Sequence, residues 1–292
     1  MPHFPVMSAE VLQYLAVSPD SLVADLTAGL GGHSKQIAAL LDSGTLVMND
    51  RDGESLAEAL DNTRAFAARI RPTQGVFSTF PQRFRDMGLG KLNALLFDLG
   101  VSMKQLTEPE RGFSFRLDGP LDMRMSRDSQ SDLTAADVVN TFSEKELANI
   151  LYEYGEEWRS RAIARAVVRA RPIKSTLQLA RLAGHGSAAR DTKISPATKT
   201  FMALRLYVNR ELEELKALLD ALPELMAPGG RVVALTFHSS EDRIVKQRFL
   251  DYQRSGQATV LTKHVVKPTD QEVGTNPASR SAKLRALSWQ TT

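Results

Sequence analysis

The 292-residue sequence predicts an α/β fold, a mostly parallel sheet interrupted by an all-helical insert between its fourth and fifth strands. Three observations predict it. The first hundred residues alternate short apolar runs with stretches of helical period. Between Lys104 and about Ala203 no strand pattern occurs, and at residues 231–237 the strand pattern resumes.

Leu22-Val23-Ala24-Asp25-Leu26 is the first strand, followed by a glycine turn and a helix over 34–41. Leu46-Val47-Met48 is the second and runs into Asn49-Asp50-Arg51-Asp52, with Asp52 placed to cap a helix over 54–66. Gly75-Val76-Phe77 reads as the third strand and Ala94-Leu95-Leu96-Phe97-Asp98 as the fourth. Strands separated by helices of this length require right-handed crossovers and a parallel sheet. In the insert the clearest helix covers 159–171. There Ala162, Ile163, Ala166, Val167 and Ala170 share one face, while Arg161, Arg165 and Arg169 recur every four residues on another. Pro172 stops it. Ser195-Pro196 reads as an N-cap and first-turn proline. The helix they open carries Leu204, Val208, Leu212, Leu215, Leu219 and Leu222 at helical spacing. Residues 184–189 read as a loop, and Pro228-Gly229-Gly230 turns into the fifth strand. The expected domains are a discontinuous one over 1–103 and 206–292 and an insert over 104–205.

Composition narrows the classes. No apolar run approaches the roughly 20 residues of a membrane span. Met1-Pro2-His3-Phe4-Pro5-Val6 lacks the basic and apolar regions of a signal peptide. With no cysteine in the chain, a cytoplasmic location is expected, and thiolate zinc sites and cysteine nucleophiles are excluded. His3, His33, His185, His238 and His264 show no metal-ligand spacing, so no metal is expected. Met123 and Met125 read as packing residues. The net charge of +3 is unevenly distributed: from Arg159 to Arg210 there are twelve Lys or Arg and one acid, Asp191. Residues 104–205 hold a net +4 against −1 for the remainder, so the insert is the expected polyanion-binding part.

The turn Gly29-Leu30-Gly31-Gly32-His33 joins the first strand to its helix, and glycines there let the backbone approach a ligand closely. A dinucleotide site would have a third glycine where Ser34 stands. Asp50 lies 21 residues after Gly29, the spacing of an acid that holds ribose hydroxyls, which S-adenosylmethionine and NAD both present. Phe80, after the third strand, either stacks on an adenine or packs in the core. Asp25, Asp50 and Asp98 each end a strand, on the edge where open α/β sheets bind ligands.

Longer blocks add a resemblance. His3-Phe4-Pro5-Val6-Met7, the cofactor loop, Asp98-Leu99-Gly100-Val101-Ser102 with Gln105-Leu106, Tyr154-Gly155-Glu156-Glu157 and Phe237-His238-Ser239 resemble the MraW/RsmH family. The most specific block is Glu110-Arg111-Gly112-Phe113-Ser114-Phe115-Arg116, followed by Gly119-Pro120-Leu121-Asp122-Met123-Arg124-Met125. Ala203-Leu204-Arg205, Val208-Asn209, Asn276-Pro277 and the stretch from Arg280 to Arg285 extend it. Met103-Lys104, Ser240, Met202 and Ala278 depart from the usual text.

The resemblance implies a Rossmann-like class I methyltransferase that uses S-adenosylmethionine to methylate the N4 of a cytidine in the decoding region of 16S rRNA. It implies cofactor contacts at Gly31, Gly32, His33, Asp50, Phe80, Asp98 and Gln105, beside Gly29 of the turn. Asp98 is the candidate catalytic acceptor, or else holds the methionine end of the cofactor. Phe113 and Phe115, flanked by Arg111 and Arg116, either hold unstacked bases or anchor the insert. Arg161, Arg165 and Arg169 are the expected phosphate contacts, and His238 is expected at the substrate mouth. Cytosine-C5 methylation usually needs a thiolate, which this chain lacks, so an atom with its own lone pair is the expected target. The partner is 16S rRNA, within the small ribosomal subunit; oligomeric state is open, a homodimer included. The alternatives are a non-catalytic RNA-binding or assembly factor and a nicotinamide-dependent oxidoreductase.

Overall fold

The computed structural model describes residues 5–127, 133–184, 195 and 197–290. The opening block at His3-Phe4, Pro196 and His185 with most of the 184–189 loop lie outside them.

In chain order the first elements are α1 (Ser8–Leu15), β1 (Leu22–Asp25), α2 (Gly32–Leu40), β2 (Thr45–Asp50) and α3 (Gly53–Asn62). Next come β3 (Ile70–Gln74), α4 (Phe80–Asp86), β4 (Leu92–Asp98) and α5 (Met103–Thr107). Helices α6 (Ala135–Thr141), α7 (Glu144–Glu153), α8 (Ser160–Arg169), α9 (Thr176–Gly184) and α10 (Thr198–Val208) follow. The chain closes with α11 (Glu211–Leu225), β5 (Met226–Thr236), α12 (Ser239–Arg254), β6 (Ala258–Val260), α13 (Asp270–Thr275) and β7 (Lys283–Trp289). Two compact units result: residues 1–100 with 212–292, and residues 101–211.

The first unit is a seven-stranded sheet in the order β3-β2-β1-β4-β5-β7-β6. The first five strands are parallel, while β7 pairs antiparallel with β5 and β6 antiparallel with β7. It is a Rossmann-like sheet. Both faces are covered, which is why the strands read as unbroken apolar runs. Along β4, Leu95 and Phe97 enter one core with Leu218 and Phe249, while Ala94 and Leu96 enter the other with Ile37 and Val11. Side chains alternate across a strand, so one seven-residue segment serves both cores.

Three expectations are corrected. The third strand is Ile70–Gln74, and Phe77–Thr79 is a 3-10 turn. Its Pro72 donates nothing to a ladder, which an edge strand tolerates. The long helix expected after residue 195 is two, α10 and α11, because Arg210 takes a left-handed φ of 51° between them. Asn209 fixes that break: its side-chain amide accepts from the Met125 amide at 2.8 Å and donates to the Met123 carbonyl at 2.7 Å. Finally, β5 begins five residues before Arg231; Pro228-Gly229-Gly230 falls in a register shift opposite Leu92 and Ala94.

The second unit is helical, with a core that includes Leu147, Leu151, Ile163, Val167, Phe201 and Leu204. Ser143 and Thr134 open α7 and α6 with capping boxes to Glu146 and Asp137. On α8 the buried face is Ile163, Ala164 and Val167, and Ala162 is exposed. The block from Glu110 to Met125 folds into this unit as an internal brace. Arg111, 1% exposed, donates through Nη2 to the Met125 carbonyl at 2.7 Å and the Arg124 carbonyl at 3.3 Å. Gly112 has φ 73°, and a β-carbon there would collide with the Pro120 carbonyl.

Candidate active site

The site is built on the carboxyl edge of the first unit's sheet. After β1 the chain turns through Gly29 (φ 53°) and Gly31 (φ 83°) into α2. A β-carbon on Gly31 would press on Ala59 at 3.1 Å and one on Gly32 on Pro5 at 3.2 Å, so both positions are tightly packed, and Gly31 also takes a left-handed φ. At Gly29 a β-carbon would meet nothing closer than 4.0 Å, so its outer side is open to a ligand.

Three carboxylates converge on this turn. Asp50, at the end of β2, accepts from the Gly29 amide through Oδ2 at 2.8 Å and from the Asp52 amide through Oδ1 at 2.9 Å. Each oxygen retains a second lone pair for a hydroxyl donor. Burial pushes its carboxyl up to about 6, against the two amides, which pull it down. Asp25, at the end of β1, is 1% exposed and accepts from the Ser34 hydroxyl at 2.6 Å and the Thr27 amide at 3.2 Å. Burial raises its carboxyl, and the Ser34 hydrogen bond opposes the rise.

Asp98, at the end of β4, donates its amide to Thr27 Oγ1 at 2.6 Å. Its Oδ2 lies 3.6 Å from His33 Nε2. Its Oδ1 is buried without a hydrogen-bond partner, and so are both ring nitrogens of His33. Buried polar atoms are normally satisfied. Three such atoms side by side mark a place built to meet a ligand.

Thr27 and Ser34 are functional residues that pattern reasoning passes over. Ser34 sits where a dinucleotide site would have glycine, but its hydroxyl is what braces Asp25. Asn49 is a third: it donates to the Leu26 carbonyl at 2.9 Å and the Gly75 carbonyl at 3.2 Å, locking the ends of β1 and β3 beside Asp50.

The other predicted residues divide. Phe80 is wholly buried, its ring stacked on Phe84 at 5.6 Å, so it offers packing beneath this edge and no open stacking face. Gln105 belongs to the helical unit, where it completes the capping box of α5 with Ser102 and donates to the Met125 carbonyl at 3.3 Å. Arg111 and Phe113 are buried in that unit's core, and Phe115 packs edge-on against Phe201 at 5.6 Å. The expectation that Arg111 contacts RNA is therefore corrected, and of the two readings of Phe113 burial favours the anchor; Phe115 is half-buried against Phe201. Arg161, Arg165 and Arg169 are exposed, as phosphate contacts must be, with Arg165 3.3 Å from Glu144.

His238 follows β5, three residues past Leu235, the register partner of Asp98. Its Nε2 lies 2.7 Å from Glu241 Oε1, while Glu241 Oε2 accepts from the Phe237 and His238 amides. Glutamate three residues after a helix start is the sequence signal for such a brace. Among the described residues no helix is long and apolar enough to cross a membrane, and no group of three or more His, Asp or Glu could hold a metal ion.

The edge therefore offers carboxylate acceptors and a turn open beside Gly29. S-adenosylmethionine presents ribose hydroxyls, an ammonium group and a cationic sulfonium, all of which suit three carboxylates. The unpartnered Asp98 Oδ1 gives that fit a specific acceptor.

Comparison with known proteins agrees. The sequence model of the MraW methylase family matches residues 1–290. A ribosomal RNA small subunit methyltransferase H of Solibacter usitatus is 52% identical over 285 residues, covering 98% of this chain and 99% of the relative. The protein of that name from Acidobacterium capsulatum is 48% identical over 290 residues, covering 97% of each. That from Koribacter versatilis is 44% identical, covering 97% of this chain and 93% of its own. With a methyltransferase sheet, an acidic cofactor edge and a family match over nearly its whole length, the chain belongs to the MraW methylase family and uses S-adenosylmethionine as methyl donor.

Proposed function

We propose that this chain methylates the exocyclic N4 of a cytidine in the decoding region of 16S rRNA, acting on the small ribosomal subunit. The observation that supports this most directly is Asp98, whose buried Oδ1 has no partner at the end of the fourth strand. The names of the relatives support the choice of rRNA.

In this reading Asp50 accepts the ribose hydroxyls, and the turn at Gly29, Gly31 and Gly32 with His33 cradles the rest of the cofactor. The bound cofactor supplies an electrophilic methyl carbon on a sulfonium. The N4 lone pair of cytosine is delocalised into the ring and is a poor nucleophile. Asp98 accepts a hydrogen bond from N4, which localises that lone pair and offsets the positive charge developing on nitrogen. Positioning for in-line attack supplies much of the rest, and His238, held by Glu241, borders the base. The insert over 104–205 recognises RNA, with Arg161, Arg165 and Arg169 on phosphates.

Mass spectrometry of rRNA nucleosides after incubation of undermethylated small subunits with protein and cofactor tests the reading. N4-methylcytidine is expected. A different methylated base refutes the position, and RNA binding with no methyl transfer refutes catalysis in favour of an assembly factor.

A further inference from the structure

Trp158 is 82% exposed and Tyr152 53%, yet the two rings pack edge-on with centroids 6.2 Å apart. Isolated exposed apolar residues need no explanation. This is different: the most exposed large hydrophobic residue of the described chain is held by a second exposed aromatic. The chain's other tryptophan, Trp289, is 8% exposed.

The surroundings indicate what the pair faces. Tyr152 lies on α7, and Trp158 just precedes α8. Arg165 on α8 meets Glu144 at the start of α7, so the two helices run antiparallel, side by side. Trp158, in the turn before α8, reaches back to Tyr152 near the end of α7. The aromatic pair therefore stands just before the first turn of α8, whose exposed Arg161, Arg165 and Arg169 follow about 6 Å apart along the helix. Aromatic rings beside a line of cations match a nucleotide strand, whose bases present π faces and whose backbone is anionic.

We propose that Tyr152 and Trp158 form a stacking site for an unpaired base of single-stranded RNA, with Arg161 taking the adjoining phosphate. The site rests on the reading of RNA as the partner and replaces the platform expected at Phe113 and Phe115.

Trp158 is its own probe. Its emission is followed while the full-length protein is titrated with a short single-stranded oligoribonucleotide, and then with the same sequence as a duplex. Trp158→Ala, Trp158→Phe and Tyr152→Ala are compared by the binding of each to the oligoribonucleotide, with cofactor affinity as the folding control. The single strand should quench Trp158, the duplex much less. Trp158→Ala should weaken single-strand binding roughly tenfold or more, and Trp158→Phe should recover most of it. Unchanged emission on saturating RNA, or equal affinity of Trp158→Ala, overturns the site while leaving methyl transfer intact. A Trp158→Ala defect confined to protein-containing subunits, absent on stripped rRNA, also overturns it, in favour of a protein contact. If the wild-type protein transfers no methyl group to RNA, the proposed function fails, but quenching by the single strand still reports the stacking site.

Discussion

Asp50 accepts the amide of Gly29 through Oδ2 at 2.8 Å, which ties the end of β2 to the turn after β1. One carboxylate thus shapes the turn and, in the proposed reading, also takes the ribose hydroxyls of the cofactor. Replacing it with alanine should weaken S-adenosylmethionine binding at least tenfold, with little change in RNA affinity, by calorimetry and filter binding. Loss of a charge-assisted hydrogen-bond acceptor has that size.

Burial lifts the Asp50 carboxyl from 3.8 to about 6, and an acceptor for ribose hydroxyls must be ionised. Cofactor affinity should therefore fall as pH drops through about 6, and binding near that pH should release protons. Calorimetry in buffers of differing ionisation enthalpy detects the release; none is expected from Asp50→Asn. The folded state holds this proton more tightly than the unfolded chain, so without cofactor the group's contribution to stability decreases as pH rises from about 4 to about 6.

Ser34→Ala removes the 2.6 Å hydroxyl bond to the buried Asp25 carboxylate. Thermal or urea unfolding should show a loss of about 1–3 kcal/mol, the cost of leaving a buried acceptor short of a partner. Ser34→Gly should be at least as damaging, which separates this turn from a dinucleotide fingerprint.

Arg111→Met should destabilise the helical unit by roughly 2–4 kcal/mol, because the Met125 and Arg124 carbonyls each lose a donor and the buried guanidinium's other contacts go with it. Urea denaturation measures it. Loss of RNA affinity without loss of stability would instead return Arg111 to the RNA-contact role.

Changing Arg161, Arg165 and Arg169 together to glutamine should weaken RNA binding and flatten the dependence of log affinity on log salt. The slope should drop by roughly one for each phosphate contact removed. Arg165 should contribute least, since Glu144 already meets it.

The sheet was legible where both faces are buried. Ala94-Leu95-Leu96-Phe97-Asp98 is unambiguous because alternate residues enter two cores, and Asp25, Asp50 and Asp98 stand where strand ends were expected. The edge strand β3 is hard to place from sequence because Pro72 and its exposed residues carry little pattern. The break between α10 and α11 was hidden because the leucine spacing runs through it, and only the fold shows Asn209 bonded to Met123 and Met125. Arg111 and Phe113 misled for a related reason: aromatic and cationic residues look alike in sequence whether they face RNA or a core. Trp158 gave no signal of its own, since exposure is a property of the fold.

The most direct test compares wild type with Asp98→Asn for transfer of labelled methyl from S-adenosylmethionine to small-subunit rRNA, with RNA affinity measured in parallel. The account predicts that transfer falls roughly a hundredfold, the scale of losing one preorganised electrostatic contact, while RNA affinity holds. Equal losses in transfer and RNA affinity, or undiminished transfer, would contradict it.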